Sequence, residues 1–112
     1  MDERIKKYLH DILVSISAIE DFVLDKDFDH YQNNRMLRSA VERELGIIGE
    51  AVNRIGKSDP TMVISNSRRI IDARNFVIHS YDKVDDIIIW NIIERNLPAL
   101  KKEVESISNE LS

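Results

Sequence analysis

Between Trp90 and Leu111 the apolar residues return at steps of three and four without a fault: Trp90, Ile93, Leu97, Leu100, Val104, Ile107 and Leu111. Only a helix puts such positions on one face, so the stripe predicts a helix that buries that face against another helix, in this chain or in a second one. Pro98 lies within it. Proline supplies no backbone N–H and crowds the carbonyl four residues earlier, so a kink or break is expected near Glu94 to Leu97.

The rest of the chain obeys the same period. Ile5, Tyr8, Leu9, Ile12, Leu13, Ile16, Ile19 and Val23 form a first stripe, which ends in Asp25-Lys26-Asp27-Phe28-Asp29. A second helix is expected to start between Asp29 and Asn34 and to run to Ile55 on Leu37, Ala40, Val41, Leu45, Ile48, Val52 and Ile55. Gly56 then stands where a left-handed cap residue belongs. Gly46 and Gly49 lie inside this helix, where a missing side chain lets a neighbouring helix come close. Lys57-Ser58-Asp59-Pro60 reads as a turn, with Asp59 capping and Pro60 opening a short helix. A further helix is expected from Ser65, Asn66 or Ser67 through Ile70, Ile71, Val77 and Ile78. Asp85 is a plausible cap for the last helix, with Val84 and Ile89 as a hydrophobic staple. No segment alternates with a period of two. The reading is an all-α, up-and-down bundle of four to five helices in one domain, residues 1–112.

Composition narrows the function. A chain of 112 residues can bury roughly two thirds of its unfolded surface, enough for one core. With no Cys, thiolate metal sites and disulfide frameworks are excluded. The first residues carry no apolar signal segment, and no apolar run reaches the roughly 18 residues of a membrane span, so a cytoplasmic location is expected. A net charge of −4 argues against a broad basic surface that coats nucleic acid. It leaves room for a site in which a few arginines hold one or two phosphates.

Several candidate sites fail on chemistry. Asp25, Asp27 and Asp29 fit the opening of a calcium loop, yet His30 stands at the required glycine and Met36 at the closing glutamate. His10, His30 and His79 are too scattered for a metal site on one helix. No phosphate-cradling glycine loop and no nucleophile elbow is present. No bound metal or cofactor is therefore expected.

The octet Arg74-Asn75-Phe76-Val77-Ile78-His79-Ser80-Tyr81 sets a permanent cation, an amide, an imidazole and a phenol into an otherwise apolar helix. An Arg can grip a phosphate through two parallel hydrogen bonds and stabilise charge on pentavalent phosphorus. A His can move a proton near neutral pH. Together these meet the needs of metal-free RNA cleavage by the substrate's own 2′-hydroxyl. Five residues along an ideal helix rotate about 500°, which leaves Arg74 and His79 roughly 140° apart, whereas Arg74 and Tyr81 come within about 20°. The groups meet only if the helix ends near His79 or a second protomer completes the site, as a two-fold dimer would.

The string Arg-Asn-x-x-x-His-x-Tyr at Arg74, Asn75, His79 and Tyr81 resembles the signature of HepT-like proteins in the HEPN superfamily. Ser80 stands where Gly is more usual. Gly49-Glu50-Ala51, Trp90 and Leu97-Pro98 extend the resemblance over most of the chain. It implies a helical homodimer that cuts RNA as the toxin of a toxin–antitoxin pair, with Arg74 and His79 as the catalytic pair. It also implies a minimal nucleotidyltransferase antitoxin as partner, which transfers AMP onto the motif tyrosine, here Tyr81. Glu50 is a candidate supporting carboxylate that orients Arg74 or an imidazole, with Asn75 as a further supporting residue, and Arg68 and Arg69 are candidates for tracking an RNA backbone. The alternative is a non-catalytic nucleotide- or substrate-binding subunit of a nucleotidyltransferase. A purely structural adaptor would leave the octet without a reason.

Overall fold

The computed structural model describes residues 3–72 and 86–111, and every described element is helical. In chain order they are α1 (Glu3–Val23), the short α2 (Phe28–Gln32), α3 (Arg35–Ser58), a helical stretch at residues 68–72, α4 (Asp86–Asn91), a π-turn (Ile92–Asn96) and α5 (Leu97–Leu111). The architecture is the all-α bundle expected, and no described helix is long and apolar enough to cross a membrane.

The stripes became the core. On α1, Ile5, Leu9, Ile12, Ile16 and Ile19 are buried, and on α3 so are Val41, Leu45, Ile48, Val52 and Ile55. These two long helices pack along each other, and α5 closes the layer against α1 through Leu97, Leu100 and Val104. Each fully buried Ile or Leu contributes about 1.5–3 kcal/mol, which is what holds helices this amphipathic together.

Helix ends follow local polar chemistry. The acidic stretch after α1 serves as punctuation. Asp25 takes the left-handed conformation (φ 60°), and the Asp27 carboxylate accepts the N–H of His30 at 2.8 Å to cap α2. The break before α3 falls at Asn34, whose side-chain oxygen accepts the Leu37 N–H at 3.0 Å. The start of α3 is thus where the sequence allowed it, but a separate five-residue helix precedes it.

Three expectations are corrected. Gly56 is not the cap of α3, which continues to Ser58. No described glycine has a positive φ, and the Asp59 N–H closes the end on the Ile55 carbonyl at 2.9 Å. Gly46 does not mark a close approach, since a Cβ there would meet nothing within 4 Å. Pro60 opens no helix: Asp59 holds a turn by accepting the Thr61 N–H at 3.0 Å. The proposed cap at Asp85 and staple at Val84 lie outside the described residues.

The expected disturbance before Pro98 is present and has a specific form. Residues Ile92–Asn96 make a π-turn, in which the Leu97 N–H reaches back five residues to the Ile92 carbonyl. The extra residue turns the upstream stripe. Upstream, Ile89 and Ile92 are 1% exposed, the predicted Ile93 is also buried and Trp90 is only partly buried, whereas downstream the predicted Leu97, Leu100 and Val104 hold their places.

Candidate active site

The octet at 74–81, with Arg74, Asn75, His79 and Tyr81, lies outside the described residues. The structure describes the supports on either side of it.

On the approach, residues 64–67 make a turn before the helical stretch at 68–72. Ser67 closes it locally, its hydroxyl donating to the Ile64 carbonyl at 2.7 Å while its carbonyl accepts the Ile71 N–H at 3.0 Å. A carboxylate distant in sequence then grips the turn. Glu103 of α5 accepts the N–H and the hydroxyl of Ser65 on Oε2, both at 2.8 Å. Its Oε1 accepts the N–H of Asn66 at 2.9 Å and the side-chain amide at 3.0 Å. Burial pushes the Glu103 carboxyl up, but these bonds outweigh it and hold it below the usual glutamate value. Arg68 and Arg69 are exposed on this stretch, and Arg68 lies 3.6 Å from Asp72.

On the exit side, α4 begins at Asp86 and is held by aromatic packing. Trp90 lies tilted on Tyr31 with centroids 5.4 Å apart, and on Phe28 at 6.3 Å. Beside this contact an open groove of about 970 Å³ is lined in part by Phe28, Arg38, Glu42 and Asp86. Partial burial, with the Asp86 charge facing it, raises the Glu42 carboxyl above its ordinary value, and Arg38 only partly offsets this. Burial, then Glu42 and Asp86, push the Tyr31 phenol up as well, against the opposing pull of Arg38.

Glu50 sits on α3 and borders a second groove of about 450 Å³ between α1 and α3, together with Lys7, Tyr8, Arg43 and Arg54. Its Oε1 accepts Arg54 Nε at 2.9 Å. The bonds from Arg54 to Glu50 and Tyr8 raise the guanidinium pKa further, so this cation stays charged. Lys7 is likewise paired with Asp11 at 3.1 Å and Arg43 with Glu44 at 3.2 Å. The groove is therefore a mosaic of paired charges. Among the described residues no three His, Cys, Asp or Glu side chains are grouped so as to hold a metal.

Sequence reasoning missed Glu103 and Glu42. Glu103 lies about 60° around an ideal helix from Leu100, at the edge of the stripe, and a charge there hints at a polar partner. Nothing local names Ser65 and Asn66 as that partner.

The string Arg-Asn-x-x-x-His-x-Tyr at Arg74, Asn75, His79 and Tyr81 stands in the sequence between the helical stretch at 68–72 and α4. The family profile described as Ribonuclease HepT-like matches residues 12–107, and the chain belongs to this family. Its relatives include two proteins of Methanocaldococcus jannaschii provisionally named RNase MJ1380 and RNase MJ0125. The first is 38% identical, over 92% of this chain and 95% of the relative; the second is 34% identical, over 96% and 93%. A Thermococcus cleftensis protein named probable ribonuclease HepT is 31% identical over 91% of this chain and 94% of its own length. No solved structure gives a significant match.

Proposed function

We propose that this chain is a metal-independent endoribonuclease, the toxin of a toxin–antitoxin pair, silenced by AMP transfer to Tyr81. The observation that carries the reading is the complete Arg74, Asn75, His79, Tyr81 string inside the matched region of a family whose relatives are named as ribonucleases. Arg74 supplies a fixed positive charge for the phosphate oxygens as the phosphorus becomes pentavalent. The substrate's 2′-hydroxyl attacks the adjacent phosphorus, and the bond to the 5′-oxygen of the next nucleotide breaks. His79 moves one of the two protons, from the attacking hydroxyl or to the leaving oxygen. The products are a 2′,3′-cyclic phosphate and a 5′-hydroxyl. Charge stabilisation and proton transfer are thereby both supplied by side chains, which is the support for cleavage without a metal ion.

Two protomers around a two-fold axis would supply both octets to one cleft, which resolves the roughly 140° between Arg74 and His79 on a continuous helix. Glu50 and Asn75 would be supporting residues of that cleft, Glu50 by orienting Arg74 or an imidazole. An adenylyl group on Tyr81, delivered by a minimal nucleotidyltransferase, would place a phosphodiester charge near Arg74 in competition with RNA.

The test is cleavage of single-stranded RNA in EDTA, with the ends analysed by mass. His79→Ala should slow cleavage by roughly 10²–10⁴-fold. Tyr81→Phe should keep activity and escape modification by the nucleotidyltransferase with ATP. Loss of cleavage in EDTA, or full activity in folded Arg74→Ala and His79→Ala, overturns the catalytic assignment. Equal mass gain in wild type and Tyr81→Phe moves the control point elsewhere.

A further inference from the structure

We infer that Glu103 is a positioning residue for the ribonuclease, fixing through Ser65 and Asn66 the direction of the helical stretch that leads into Arg74. The inference rests on the reading that Arg74 acts on the phosphate. Its own support is the shape of the contact. Both carboxylate oxygens are used, and each takes one backbone N–H and one side-chain donor from consecutive residues. A single exposed ion pair tolerates sliding, but a carboxylate holding four donors on two residues fixes distance and orientation together.

The two ends of the contact differ in firmness. Glu103 stands on α5 beside Leu100 and Val104, both fully buried, so its backbone is part of the core. The segment it holds is less deeply anchored: Thr61, Val63, Ser65 and Asn66 are exposed, Ile64, Ser67 and Ile70 are buried, and Met62 and Ile71 are partly buried against the core. A short helix pinned at the adjacent Ile70 and Ile71 can still pivot about that one point. The Glu103 contact supplies the second fixed point, on the N-terminal side of the pivot, and the chain passes from Asp72 through Ala73 to Arg74 on the other. Rotation about Ile70 therefore swings Asp72, the last described residue before Arg74, opposite to Ser65 and Asn66. Displacing a catalytic group by about 1 Å can cost up to roughly a hundredfold in rate.

Two variants open the contact in different ways. Glu103→Gln replaces one acceptor oxygen with an amide that faces donors, and Ser65→Ala/Asn66→Ala removes the side-chain donors while leaving α5 intact. Cleavage of a fluorophore–quencher single-stranded RNA of mixed sequence is measured well below each melting temperature, alongside amide hydrogen exchange. The expected result is faster exchange at residues 65, 66 and 68–72, with kcat reduced about tenfold to a hundredfold and KM within about twofold. Glu103→Asp, which keeps both acceptors on a shorter arm, should recover part of kcat. An unchanged kcat in either folded variant overturns the inference, as does a loss confined to KM. Arg74→Ala separates the two claims. If it is inactive while both contact variants keep wild-type kcat, only the positioning role falls. If Arg74→Ala retains full activity, or wild type leaves the RNA uncut, the ribonuclease reading falls and the positioning role with it.

Discussion

Replacing Tyr31 with Phe separates a buried ring from its hydroxyl, and the two halves of this side chain pull in opposite directions. The ring is wholly buried and packs on Trp90 at 5.4 Å, a contact that Phe keeps. The hydroxyl is buried with no hydrogen-bond partner among the described residues. Carrying an unpartnered hydroxyl inside costs roughly 1–3 kcal/mol, and its dipole gains a little from the nearby Glu42 and Asp86 charges. A net gain of about 1 kcal/mol on removing it is therefore expected. Unfolding entropy near 2.1 cal/mol/K per residue gives roughly 0.24 kcal/mol/K for 112 residues, so Tm should rise by about 4 °C. Tyr31→Ala, which removes the ring as well, should cost about 3–5 kcal/mol by leaving a cavity beside Trp90. Thermal unfolding followed by far-ultraviolet circular dichroism and tryptophan fluorescence reads both variants. A fall in Tm of about 4 °C or more for Tyr31→Phe would show that the hydroxyl holds a stabilising partner, and the argument would fail.

Other substitutions test other parts of the bundle. Leu100→Ala, at a fully buried position of α5, should destabilise by about 2–5 kcal/mol and lower Tm by roughly 8–20 °C in calorimetry. Asn34→Ala removes the acceptor for the Leu37 N–H and should cost about 0.5–2 kcal/mol in urea unfolding, with the m-value unchanged. Glu42 has a folded pKa above the usual 4.5, so the folded state binds its proton more tightly. Stability should therefore fall as pH rises from the unfolded value through the folded one. Glu42→Gln should raise Tm at pH 7, and the gain should vanish below pH 4.5; an equal gain at both pH values refutes the electrostatic cause.

The helical period carried most of the fold. Ile5 to Ile19 on α1, Val41 to Ile55 on α3 and Leu97 to Val104 on α5 could be assigned to the core because a 3.6-residue repeat leaves no other face for them. Helix ends were less legible. Asn34 announces its cap, but Gly56 suggested a stop that the Asp59 backbone makes three residues later. The seam near Trp90 looked faultless because the π-turn changes register without leaving a gap in the apolar pattern. For the site, the chemistry proposed for Arg74, His79 and Tyr81 is written within eight residues, whereas the contact of Glu103 with Ser65 and Asn66 joins residues 37 or 38 apart. No local rule encodes a contact at that separation.

The π-turn also changes what a one-residue insertion or deletion means in this helix. In a loop such a change alters only length. Between Ile92 and Asn96, removing one residue would restore an unbroken α-helix and turn α4 by about 100° relative to α5. Ile89 and Ile92 would leave the interior, and Trp90 would turn away from Tyr31. The structural difference between two relatives that vary in length at this point is thus an angle. Sequence alignments that slide a gap freely across these five residues would assign the wrong interior face to the upstream helix.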